Sequence, residues 1–416
     1  PWFNLFIFLG IAYFYFASMA YKAQMQGLKE AALGGLFLGL AVLTKGPAAL
    51  LIAGLTVFFF WIIVWRFKVY LSWFQVIIYL LSICIATLSW FGIEIAQNGT
   101  WFIETFITYQ IRLLSTPDAG HGGFPGYHFV ILLIGCFPSS LIFISGYRST
   151  GLQADTGKQF DVLMKVLFWV VLILFSLVKT KIVHYSSMCY FPIAWVAGTA
   201  VYQWEQNGKP IPKNLKRFIW ILGSILSIPV LIFPLVWANR DLIIPTIKDP
   251  FAVANMEAEL HFTGIEFTVG LFLIGVIALF AFYAKQSKLG NAFQSLFFGV
   301  SAFMFIGLIA YIGRVEQISQ NAGIEFLKSV KGKDCYVVTH GYKSYAHYFY
   351  PELKPNQKPL TDNLDDWKDY ALNHKLPKDL YIITKINRTE DLAQYNQLKE
   401  IGRKNGFVFY LKPANQ

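Results

Sequence analysis

Ten apolar runs, most about as long as a bilayer is thick, constrain this chain more than any motif in it. They lie at about 1–21, 31–43, 47–65, 73–92, 128–146, 163–178, 186–202, 216–237, 264–284 and 294–312. A helix needs roughly 17–25 mostly apolar residues to cross the hydrocarbon. Only 14% of the 416 residues are charged, whereas a soluble domain carries about a quarter. The chain therefore reads as a polytopic α-helical membrane protein. Its net charge of +11 lies largely in short loops and in the tail, which is not a nucleic-acid footprint. The four cysteines have no metal-ligand spacing. The second run is short, and Thr44-Lys45-Gly46-Pro47, a helix break with a charge in it, separates it from the third.

Loop charge orients the stack. Loops 22–30, 66–72, 147–162, 203–215 and 285–293, with adjoining span ends, hold thirteen Lys and Arg residues. The alternate set, 44–46, 93–127, 179–185 and 238–263, holds six over more residues. The positive-inside rule makes the first set cytoplasmic and the second external. Three polar stretches then share the outer face. One is the break around Lys45. Another is the loop 93–127, in which Trp101–Leu114 reads as an interfacial helix containing Arg112, followed by turn residues with Asp118 and His121. The last is Lys179-Thr180-Lys181-Ile182-Val183-His184-Tyr185, packed between two spans.

Cations held at a membrane surface are costly unless something anionic needs them. The bland alternative is a basic helix end whose lysines snorkel to water. Asp118 could simply cap a connector, and a lone His121 on such a loop is more often solvated than catalytic. The gathering of three polar stretches on one face favours an outward-facing site.

Residues 313–416 carry sixteen Lys/Arg and twelve Asp/Glu. Runs 335–339, 380–384 and 407–411 read as strands, and 317–330 and 391–401 as helices. This predicts a small external α/β domain after a membrane core spanning 1–312.

These motifs carry a resemblance. Leu43-Thr44-Lys45-Gly46-Pro47 opening an apolar helix resembles the GT-C fold glycosyltransferases, closest to the bacterial branch of lipid A aminoarabinose transferase and protein mannosyltransferase relatives. So does the stretch from Gln110 to His121, and so does Lys179–Tyr185 before a Pro-containing span. The resemblance covers about residues 1–312. It implies transfer of a sugar from a polyprenyl-phosphate carrier to an acceptor (lipid A, protein or glycan) outside a bacterial inner membrane, with inversion. It also implies an acidic catalytic residue in a first outer loop, expected upstream of Pro1. Arg112, Lys179, Lys181, Lys45, His184 and Tyr185 are then the candidates for carrier phosphate. Asp118 and His121 could touch the sugar or a divalent metal ion. Two rivals stand beside this: a secondary transporter, which should show similar halves and charges at span centres, and a non-catalytic polysaccharide-assembly protein.

Overall fold

A computed structural model of the chain describes residues 2–115, 122–148, 154–354, 357 and 364–415. All ten expected spans fall on helix. They are α1 (Trp2–Lys22), α2 (Leu28–Lys45), α3 (Ala48–Phe60, prolonged by a π turn to Trp65), α4 (Trp73–Asn98), the pair α6 (Tyr127–Gly135) and α7 (Ser139–Gly146), α8 (Asp155–Leu177), α9 (Tyr190–Gln206), α10 (Lys213–Ala238), α13 (Glu266–Lys285) and α14 (Leu289–Ser319). Between them α5 (Trp101–Ser115) fills the predicted interfacial segment, and α11 (Arg240–Ile243) and α12 (Pro250–Asn255) follow α10. Seven of the described helices are long and apolar enough to cross a membrane: α1, α3 with its π turn, α4, α8, α10, α13 and α14.

The expected straight span 128–146 is instead broken, with α6 and α7 bent by 109°. Pro138 lacks the amide that would continue the ladder, and its ring clashes with the preceding turn. The Ser140 hydroxyl donates to the Leu133 carbonyl at 2.7 Å and satisfies one freed acceptor. The expected span 186–202 starts later, because Val183–Cys189 winds as a 3-10 turn before α9.

The chain divides into two compact units. The first comprises Pro1–Gly223 and Ile277–Phe297. Its core joins α1, α2, α3, α8 and α9 through buried Ile7, Ile11, Leu38, Ile52, Leu167 and Ile193. Glycines set the closest approaches. A Cβ on Gly35 would meet the Tyr79 carbonyl oxygen, and one on Gly39 would lie 2.6 Å from Ala86 Cβ, so α2 and α4 touch backbone to backbone. The outer side of α4 exposes Leu80, Leu81, Ile85, Leu88 and Trp90, a surface made for lipid rather than water.

The second unit comprises Ser224–Val276 and Phe298–Gln416. It holds α15 (Asn321–Ser329), β1 (Cys335–Thr339), α16 (Ala346–Phe349), α17 (Leu364–Asn373), β2 (Asp379–Lys385), β3 (Lys399–Lys404) and β4 (Phe407–Lys412). The sheet order is β1-β2-β4-β3, with β1 parallel to β2 and the other pairs antiparallel. One face packs Tyr336, Val338, Leu380 and Ile382 on Trp367 and Leu372 of α17. The other packs Val337, Ile383, Phe407 and Phe409 on Leu327 of α15. The predicted strands at 335, 380 and 407 are present, but the helix expected over 391–401 is not. A short 3-10 turn, Glu390–Leu392, is followed by edge strand β3. Asn405 and Gly406, with φ of 45° and 78°, form a two-residue hairpin that folds 399–404 onto β4. Left-handed Asn-Gly turns match strand twist, and pairing through one overrides the helix propensity of the preceding residues.

Candidate functional site

The turn after α8 is built around a lysine directed inward. Helix α8 ends at Leu177, leaving its last carbonyls without intrahelical donors. Lys181 folds back, and its Nζ donates to Phe175 O at 3.0 Å and Ser176 O at 2.6 Å. The side chain is only 5% exposed, and burial pushes its pKa down. It closes the negative end of α8, as lysines in a last turn can. The same device recurs in the second unit, where buried Lys412 donates to Ala371 O, Leu372 O and His374 O beyond α17.

Lys45 comes to this turn from α2. Gly46 ends α2 with φ of 80° and returns its amide to Val42 O at 2.7 Å, and Pro47 opens α3. A Cβ on Gly46 would run into the Phe106 ring of α5, so glycine is required by both conformation and space. Lys45 Nζ lies 3.4 Å from His184 Nε2 and 4.8 Å from the centre of the Tyr185 ring. Phe3 of α1 lies below it, with the ring centre at 5.9 Å. Asn4 Nδ2 donates to Ser187 Oγ at 2.6 Å, and Ser187 Oγ donates to His184 O at 2.5 Å. The start of α1, the break after α2 and the turn after α8 thus converge. Partial burial and then the Lys45 ammonium hold His184 below its ordinary pKa, so at neutral pH its Nε2 can accept from Lys45.

Arg112 is exposed near the end of α5, its guanidinium 5.1 Å from the Tyr109 ring centre. Lys179 is exposed on the turn. Asp118 and His121 lie outside the described residues. Beyond them the chain returns over the turn, where a Cβ on Gly123 would sit 3.0 Å from Lys181 Cγ. Among the described residues no three His, Cys, Asp or Glu side chains gather as metal ligands.

Sequence reasoning missed several polar partners. His128, completely buried on α6, places Nδ1 3.2 Å from Ser186 Oγ, while its Nε2 has no hydrogen-bond partner. Its signal was slight: one imidazole opening an apolar run. In the second unit buried Glu266 forms an ion pair with partly exposed Arg314. Glu266 also accepts from Thr263 N at 3.1 Å and Gly264 N at 3.0 Å, and Tyr311 Oη donates to Val230 O at 2.8 Å. That pair is satisfied within the protein, which marks it as structural.

Chemically, the convergence offers an ammonium, an imidazole and a phenol around one point, and charged donors of this kind suit phosphate oxygens. No family model matches the chain. Over 236 residues it is 25% identical to the undecaprenyl phosphate-alpha-4-amino-4-deoxy-L-arabinose arabinosyl transferase of Wigglesworthia glossinidia brevipalpis, an alignment covering 55% of this chain and 40% of that protein. The chain thus spans well under half of that relative's length. The crystal structure of ArnT from Cupriavidus metallidurans bound to undecaprenyl phosphate superposes with a TM-score of 0.63 at 14% identity, covering 99% of this chain and 83% of that one. The apo structure of the same protein gives 0.63 at 12% identity over the same shares. The likeness shows the fold: a GT-C helical membrane core with a small sheet domain.

Proposed function

We propose that this GT-C fold chain belongs to an integral-membrane glycosyltransferase that takes a sugar from a polyprenyl-phosphate carrier on the outer face of a bacterial cytoplasmic membrane. The observation that carries the reading is the convergence of Lys45, His184 and Tyr185. Two polar stretches 139 residues apart in the chain meet there side chain to side chain. Transfer leaves negative charge on the carrier phosphate, and fixed cations in a water-poor site stabilise that charge without reorganising. In this reading Lys45 gives the ammonium, and His184 and Tyr185 donate hydrogen bonds. Arg112 and Lys179 approach the phosphate from the neighbouring loop and turn. Lys181 acts one step back, by fixing the end of α8 and hence the turn. The names of the relative and of one fold neighbour support an undecaprenyl phosphate carrier, and the relative's name an aminoarabinose as the sugar; the acceptor in this reading is lipid A, a protein or another glycan.

The test is carrier binding to the complete natural protein in nanodiscs, with undecaprenyl phosphate compared against undecaprenol. Phosphate should confer a large binding preference that Lys45→Met and His184→Ala reduce. Equal affinity for the two lipids in the unaltered protein would overturn the assignment.

A further inference from the structure

The second unit contains a polar cluster separate in sequence from the residues assigned to the carrier. β1 and β2 run parallel, pairing Thr339 with Ile383, so their carboxyl ends lie side by side. His340 follows β1 directly. Its backbone is pinned there, N donating to Ile383 O at 2.9 Å and O accepting from Thr384 Oγ1 at 3.1 Å. Its side chain is 14% exposed, and both ring nitrogens are buried without a hydrogen-bond partner. Buried polar atoms are nearly always paired, so two orphaned nitrogens on one ring need an explanation, and an absent ligand is one.

The ring's neighbours indicate what kind. Asp391 Oδ2 lies 3.6 Å from His340 Nε2 and 3.7 Å from Arg388 Nη1. Both separations exceed a hydrogen bond but fall within ion-pair distance, so Asp391 faces both groups without closing a hydrogen bond on either. The Arg388 side chain lies across Gly341, whose φ is +75° and where a Cβ would come within 2.7 Å of Arg388 Cγ. Burial and then Lys368 of α17 oppose protonation of the imidazole, while Asp391 favours it. Lys385 is occupied by the Phe251 and Tyr342 rings, at 4.4 and 5.4 Å. Arg388 and the His340 imidazole thus flank one carboxylate, with Lys368 of α17 near enough to the imidazole to act on it electrostatically. Carboxyl ends of parallel strands are where open α/β sheets take ligands.

We propose that His340, Lys368 and Arg388 form a phosphate-binding site at the carboxyl ends of β1 and β2, with Asp391 accepting from a hydroxyl on the same ligand. An arginine fork, an ammonium and an imidazole N–H offer more donors than one carboxylate has oxygens, and they match the three free oxygens of a phosphate monoester. The phosphate could belong to a soluble sugar phosphate or to a lipid headgroup.

Hydrogen exchange on the full chain gives a readout local to this domain. The protein is held in zwitterionic nanodiscs with inorganic phosphate or with chloride at matched ionic strength, and separately in nanodiscs containing phosphatidic acid. Exchange across 340–345 and 386–392 should slow with one phosphate source. A response to inorganic phosphate identifies a soluble ligand, and a response to phosphatidic acid alone identifies a headgroup. Arg388→Ala and Lys368→Ala should each weaken the response about tenfold or more. Arg112→Ala, in the proposed carrier site, should leave it intact, so the two sites fail separately. No slowing from either source, or equal slowing in the Arg388→Ala and Lys368→Ala variants, would overturn the proposal.

Discussion

Lys45 Nζ and His184 Nε2 stand 3.4 Å apart, joining the end of α2 to the turn after α8. If this contact shapes a phosphate site, the two residues should not act independently. Lys45→Met or His184→Ala should each lower transfer by about 30- to 1000-fold, corresponding to about 2–4 kcal/mol of transition-state stabilisation. The double variant should fall well short of the summed losses. A double-mutant cycle on kcat/KM in the complete protein measures this, and strict additivity would mean the two act apart.

Arg112 tests geometry against charge. Arg112→Lys keeps the charge but loses the fork, so it should retain more transfer than Arg112→Ala and less than the natural residue. Lys213 and Lys288, expected on the cytoplasmic side from the loop charges, should tolerate alanine. Wild-type transfer by folded Arg112→Ala protein would remove Arg112 from the site.

Lys181 should behave as a cap. Lys181→Met leaves the Phe175 and Ser176 carbonyls without their charged donor. A stability loss of about 1–3 kcal/mol is expected. Binding of undecaprenol and undecaprenyl phosphate should weaken in parallel, whereas Lys45→Met should affect only the phosphate. Selective loss of the phosphate lipid in Lys181→Met would instead make Lys181 a direct contact.

His347 gives the sheet domain an acid response. Burial lowers its pKa to about 4, only partly offset by a hydrogen bond to the Ser344 backbone. The folded state binds this proton less readily than the unfolded chain, whose histidine titrates near 6.5. The stability held by neutral His347 is therefore complete above about pH 6.5 and is lost as pH falls toward about 4. Pulse proteolysis of the sheet domain in the full chain should show this decline, and His347→Phe should flatten it. An unchanged slope in the variant would place the acid response elsewhere.

Topology is testable by cysteine labelling. With the four native cysteines replaced, Asn373→Cys should react with an impermeant reagent in intact spheroplasts, and Asn207→Cys only after lysis. The reverse pattern would put the Lys45 cluster on the cytoplasmic side.

The sequence disclosed what depends on local pattern. Apolar run length placed each of the seven described helices long and apolar enough to cross a membrane, and β-branched runs placed β1, β2 and β4. It also named Lys45, His184 and Tyr185, because polar residues crowded against spans stand out. It could not show that Lys181 turns inward, since a capping lysine and a phosphate-binding lysine read alike until the carbonyls are located. His128 and Ser186 were hidden for the opposite reason: each is a single polar group in apolar surroundings, and only their 3.2 Å approach gives them meaning. The 391–401 error arose from reading residue propensity before the Asn405-Gly406 turn that governs it.

The glycine-to-backbone contact of α2 with α4 has a consequence for how this protein could diversify. Gly35 and Gly39 leave no side chain to adjust, so α2 cannot slide or rotate on α4 without backbone collision. Lys45 ends the same helix, so its position is inherited from an inflexible seam two to three turns away. Variants selected for a different sugar or acceptor should accumulate changes in the loops around the cation. The glycine seam should stay invariant, and libraries that randomise α2 as one block should yield almost no inserted, folded protein.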